Sequence, residues 1–109
     1  MTEERGAVVK GPDLFADNDF RPSVRINDDT HPFADEEAVY VAATTTRRSA
    51  AIPLTGEDFA EGDLPRETYV NTWTVVTIRH ADIHGEEGRL TEETTETIAR
   101  ATAGYLGVP

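Results

Sequence analysis

The segment "RPSVR" places Arg21 and Arg25 four residues apart on one short run, and Arg47 and Arg48 follow directly on three consecutive threonines, Thr44 to Thr46. A guanidinium stays charged at any working pH and offers a fixed fork of donors that matches phosphate oxygens two at a time. Four of the nine arginines fall on these two segments. In an acidic chain such a focus has two readings: a cradle for a phosphate backbone, or turn arginines paired with neighbouring carboxylates. His31, His80 and His84 could move protons, but all three lie at turns and read as ordinary surface residues. His80 is singled out for testing because it ends an expected strand. The carboxylate groups in "DLFADND" and "INDD" lack the ligand ladder and glycine of a calcium loop. Glu86, Glu87, Glu92, Glu93 and Glu96 read as a solvated flank, and Tyr69 and Trp73 as core or interface aromatics before a platform for bases. With no cysteine, thiolate metal sites and disulfides are excluded. No glycine-rich phosphate loop or serine-nucleophile motif is present, and no metal or cofactor is expected.

These side chains must be held by a small scaffold. At 109 residues the chain is expected to be one domain over 1–109, with a polar lead-in at 1–4. No apolar run reaches membrane-spanning length and "MTEERGAVVK" lacks a signal-peptide layout, so a soluble, cytoplasmic protein without membrane contact is expected. The formal charge is −11 and Lys10 is the single lysine. Enough strand-like apolar sequence remains for the chain to fold despite that charge. An acidic, lysine-poor surface reads as halophilic, since at about 1 M salt the screening length falls to about 3 Å and self-repulsion with it.

Along the chain, "GAVVKG" is expected as a first strand and "RPSVRIND" as a second, with Val24 and Ile26 on one face. Proline suits the opening of a strand, where no ladder N–H is required. "AVYVAATT" over 38–45 is a third strand, with "SAAIPL" as its hairpin partner. A loop through "TGEDFAEGDLPR" leads to two further strands, "ETYV" and "WTVVTI". At the end, Leu90, Thr94, Ile98, Ala101 and Tyr105 recur at helical spacing, Thr91 suits an N-cap and Gly107 a stop, which predicts a helix over 91–106. Five or six strands and one closing helix argue for a mainly β fold, a small curved barrel with the helix packed on it.

The order of these signals resembles the MazF/PemK-like toxins. The features that carry it are "RGAVV", "FRPSVRIND", "VYVAATTTRR" with "AAIPL", "ETYVNTWTVVTI", and Gly88-Arg89-Leu90 before the helix. The resemblance runs from about Arg5 to Leu106 and implies a CcdB/MazF-type, SH3-like barrel with a C-terminal helix, acting as a homodimer beside a cognate antitoxin. It implies a metal-independent, sequence-selective endoribonuclease that cuts single-stranded RNA. The key arginine of the Arg-Pro pair falls on Arg21 and the key threonine on Thr45, with Thr44, Thr46, Arg25, Arg47 and Arg48 as substrate contacts. In that chemistry the ribose 2′-OH attacks phosphorus, leaving a cyclic phosphate and a free 5′-OH. Arg21, whose guanidinium stays charged at any working pH, suits a clamp on the charge gathering at phosphorus better than a base. Ser23 and Arg25 depart from the apolar residues usual at those positions, which makes the outer face of the second strand polar. Two alternatives stand: a non-catalytic barrel that grips a protein through "GYLGVP", as related gyrase-poisoning toxins use their C-terminal helix, and a regulator that binds RNA without cutting it.

Overall fold

A computed structural model describes residues 4–12 and 20–109; the carboxylates of "DLFADND" lie outside the described residues. Seven strands are present: β1 (Ala7–Pro12), β2 (Phe20–Arg25), β3 (Glu37–Thr44), β4 (Ile52–Leu54), β5 (Phe59–Gly62), β6 (Thr68–Arg79) and β7 (Glu86–Leu90), followed by one helix, α1 (Glu92–Tyr105). They form one antiparallel sheet in the order β4-β6-β3-β2-β1-β7-β5, curled into a half-barrel with α1 against it. The mainly β expectation with a closing C-terminal helix holds.

The curl gives the sheet two apolar sides. On one, Val8, Val24, Val41, Val70 and Leu90 meet Ile98 of the helix, and Ile26 joins Val24 as its spacing predicts. On the other, Ala7, Val9, Ala38, Tyr40 and Ile78 form a second cluster. β3 is apolar at nearly every position because it is central and covered on both sides. Each fully buried aliphatic side chain contributes on the order of 1.5–3 kcal/mol.

Four expectations are corrected. "SAAIPL" supplies β4, but β4 pairs with β6 and not with β3; both flank β6. "ETYV" and "WTVVTI" belong to a single strand that bulges: Val41 pairs with Val75 and the next residue, Ala42, with Asn71, so Thr72, Trp73 and Thr74 are extra on β6. "FAEG", read as loop, is β5 on the far edge. Ser23 and Arg25, read as an outer polar face, are each only 2 % exposed.

The helix is set by its ends. Thr91 Oγ1 accepts the Thr94 N–H, and Glu92 and Glu93 occupy the positive first turn. At the other end Val108 N–H reaches Ala103 O and Gly107 N–H reaches Gly104 O, with Gly107 at φ 79°, a left-handed stop that glycine adopts without strain. The face it buries carries Thr95, Ile98 and Thr102. Leu90 is in β7 and Tyr105 is exposed, so the expected apolar stripe is displaced from the real one. Thr102 Oγ1 donates to Thr72 O at 2.8 Å, which ties α1 to the bulge in β6, and lies 3.1 Å from Ile98 O in the preceding turn.

Candidate nucleic-acid site

Arg21 is held by a consequence of its neighbour. β2 and β3 pair with Val24 opposite Val41, and Ile26 N–H donates to Val39 O, so even-numbered residues of β2 point their hydrogen-bonding groups at β3. Odd-numbered ones point at β1, as Arg25 O accepting Gly6 N–H confirms. Continued by one step, that register sets residue 22 against Ala43, but Pro22 has no N–H to give. Arg21 Nε donates to Ala43 O instead, at 2.9 Å. Arg21 stands opposite Gly11, so no side chain crowds it from β1. The guanidinium is thereby anchored at the end of β3.

The threonines follow at once. Thr44, half-buried, ends β3 beside Tyr69, and its Oγ1 accepts the Thr46 N–H at 3.1 Å, a local turn that leaves Thr45 exposed at its apex. The chain then arches over the start of β6, because β3 and β4 lie on either side of that strand; Ala51 N–H donating to Arg48 O closes the second turn. Arg47 and Arg48 lie exposed on the arch. Arg48 sits over the Trp73 ring, 5.8 Å from its centroid, and Trp73 meets Tyr105 edge-on at 5.9 Å. Thus the bulge in β6 delivers an aromatic ring to the arginine loop.

The choice between phosphate cradle and carboxylate pairing divides by position. Arg5, Arg79, Arg89 and Arg100 pair with Glu96, Asp82, Glu4 and Glu61, and Glu96 respectively. Arg25 pairs with Asp29 at 3.7 Å, its side chain only 3 % exposed. Among the described residues Arg47, Arg48 and Arg66 have no such ion pair. Arg21, Thr44, Thr45, Thr46, Arg47 and Arg48 therefore share one end of the sheet. Arg25 is not part of that group: four residues along β2 is about 13 Å, and it lines a separate hollow with Arg5, Asp28 and Arg89.

The histidines also separate. His80 Nε2 is 2.8 Å from Ala34 O, on the loop ahead of β3 rather than at its end. His31 Nδ1 accepts the Phe33 N–H, and its Nε2 is 3.7 Å from Glu37. His84 lies tilted against Phe20, the residue before Arg21, with ring centroids 4.3 Å apart, a pairing that spacing alone could not reveal. Arg66, not singled out from the sequence, precedes β6 at the same end as Thr44. Its signal was the absence of a local carboxylate partner, visible only once the chain is folded. The Asp28 carboxyl is held below its ordinary value chiefly by the Thr30 hydroxyl and also by the Thr30 N–H. No group of histidine and carboxylate side chains suited to a metal ion occurs among the described residues. No helix among them is long and apolar enough to cross a membrane.

Comparison with protein-family models and with curated sequences gives no match. Solved structures do match. An endoribonuclease from a mycobacterial species is 25% identical with a TM-score of 0.78, over 100% of this chain and 95% of that one. A mycobacterial endoribonuclease in complex with its cognate antitoxin is 23% identical with a TM-score of 0.75, over 99% of this chain and 96% of that one. The MazE–MazF structure from Deinococcus radiodurans is 8% identical, again with a TM-score of 0.75, over 100% and 99%. In its fold, the chain belongs with the MazF/PemK-like toxins.

Proposed function

We propose that this protein is an RNA-cleaving toxin that cuts single-stranded RNA without a metal ion, selects its sites by sequence, and works in the cytoplasm as a homodimer restrained by a cognate antitoxin. The observation that carries the reading is the anchored Arg21 beside the exposed Thr45, on a chain matched over its whole length by an endoribonuclease. The ribose 2′-OH attacks the adjoining phosphorus and the bond to the 5′-oxygen breaks. Arg21 neutralises the charge that gathers on the non-bridging oxygens, and Thr45 donates its hydroxyl to one of them or orients the 2′-OH. Thr44, Thr46, Arg47 and Arg48 hold the strand on either side. Arg25, buried against Asp29, has a structural task and no substrate contact in this scheme.

The net charge of −11 opposes long-range attraction of RNA. Affinity must then come from close contacts at arginines kept clear of carboxylates, which is where Arg47 and Arg48 stand. The acidic surface is an adaptation to molar salt, and the melting temperature should rise with KCl; a flat or falling curve removes that part of the proposal. Incubation with several unstructured RNAs in high KCl should give fragments with cyclic phosphate ends, and DNA of the same sequences should survive. Intact RNA throughout, or cleavage unchanged in Arg21→Ala, defeats the reading.

A second reading has one observation in its favour: Tyr105, Leu106 and Val108 are 56%, 70% and 55% exposed at the end of α1. A barrel that grips a protein there would retain that partner and no RNA, and would lose it when residues 104–109 are removed.

A further inference from the structure

An open hollow is lined by Arg47, Arg48, Ser49, Ala50, Trp73 and Tyr105. Three observations give it a ligand chemistry. First, Arg47 and Arg48 are without a carboxylate partner among the described residues, while most other arginines of this acidic chain have one. Second, the Arg48 guanidinium lies over the Trp73 ring, 5.8 Å from its centroid and within cation–π range, so cation and ring already share one face of the hollow. Third, Tyr105 braces the Trp73 ring edge-on, leaving a ring face turned to Arg48. A flat, electron-rich group carrying an adjacent negative charge satisfies all three: it stacks on Trp73, lies under Arg48, and sets its charge by Arg47.

We infer that this hollow is a base-stacking subsite, in which one unpaired RNA base is held between Trp73 and Arg48 with its phosphate on Arg47. The inference rests on the RNA reading above and deepens it, because the arch that carries Arg47 and Arg48 begins at Thr45. The strand bound at Arg21 would run along the arch, and the subsite would seat a base a short distance from the bond that breaks. Stacking tolerates any base, so the hollow fixes position rather than sequence. Arg48 is exposed and can swing by the ångström or two that insertion requires.

Trp73 is the single tryptophan, so its emission reports on this ring alone. Titrate the full chain with a 2′-O-methyl RNA oligonucleotide, which cannot be cleaved, and follow Trp73 emission together with the anisotropy of a dye on the oligonucleotide. Both signals should change with one midpoint. Arg48→Ala should weaken binding by about tenfold, and Arg48→Lys, which keeps the charge but not the plane, should restore only part of it. Anisotropy that rises while Trp73 stays silent overturns the subsite and leaves RNA cleavage standing. Trp73 quenching with no cleavage of ordinary RNA supports the subsite and defeats the nuclease reading. Failure to bind any oligonucleotide overturns the subsite, as does a Trp73 signal that depends on protein concentration, tracks a doubling of mass by light scattering and resists RNA. That last result would assign the hollow to a second copy of the chain. Trp73→Phe, which keeps a ring in the bulge, should retain most of the binding read by anisotropy.

Discussion

The two ends of β2 make opposite use of arginine. At one end Arg5, Arg25 and Arg89 are knitted to Glu96, Asp29, Glu4 and Glu61, and Arg5 Nε caps Ile26 O. At the other, Arg21 is bound to a backbone carbonyl, and Arg47 and Arg48 stand on a loop with a tryptophan for company. The sequence alone assigns the same residue type to both ends. The difference teaches that, in a chain with twice as many acids as bases, position relative to carboxylates separates Arg5, Arg25 and Arg89, which hold the fold, from Arg47 and Arg48, which can hold a ligand.

The sharpest way to break that division is to truncate one arginine from each end. Arg21→Ala should lower the cleavage rate by about 10²–10³, the usual effect of losing one donor aimed at developing charge, with the melting temperature nearly unchanged. Arg25→Ala should do the reverse. It empties a buried site next to Tyr40 and should cost about 2–4 kcal/mol in a denaturant titration, while rate per folded molecule stays near that of the parent. Equal losses of rate in the two variants would dissolve the distinction.

A smaller effect tests how the ligand end acquires its ring. Thr102→Val keeps the shape of the side chain but removes the donor to Thr72 O, and should cost about 1–2 kcal/mol. Because that bond braces the bulge, Trp73 emission should broaden or shift as well; an unmoved spectrum would show the bulge to be self-supporting. The smallest effect belongs to the paired end. The Thr30 hydroxyl and N–H keep the Asp28 carboxyl below its ordinary value, so their contribution is present above that value and is lost as pH falls through the lowered one. Thr30→Val should move the Asp28 titration upward, as read by NMR, and the small stability difference between the two proteins should vanish in strong acid.

Much of the scaffold was legible in the residues. β3 follows from its β-branched and aromatic run, and α1 from Thr91, the paired glutamates and Gly107. What stayed hidden involves partners rather than elements. Alternation says that Ile52 and Leu54 share a face, but nothing local says that β4 lies against β6. The bulge looked like a gap between two strands because Asn71 and Thr72 are polar, although both are buried. The helix face was misplaced because Thr95 and Thr102 read as surface residues, whereas their hydroxyls are satisfied by Thr91 O in one case and by Ile98 O and Thr72 O in the other. At the site, Arg21-Pro22 stood out at once, but the carbonyl it serves lies on another strand. The contact between Arg48 and Trp73 crosses 25 positions and needed the arch and the bulge together.

Pro22 has an effect beyond opening a strand. By withholding one N–H it leaves Ala43 O to the side chain next door, and so narrows the orientations that Arg21 samples before any ligand arrives. Pro22→Ala would let the two backbones zip together and release the guanidinium to wander. A more regular sheet would then come with a less ordered arginine, so irregularity at this one rung is what lends the side chain its direction.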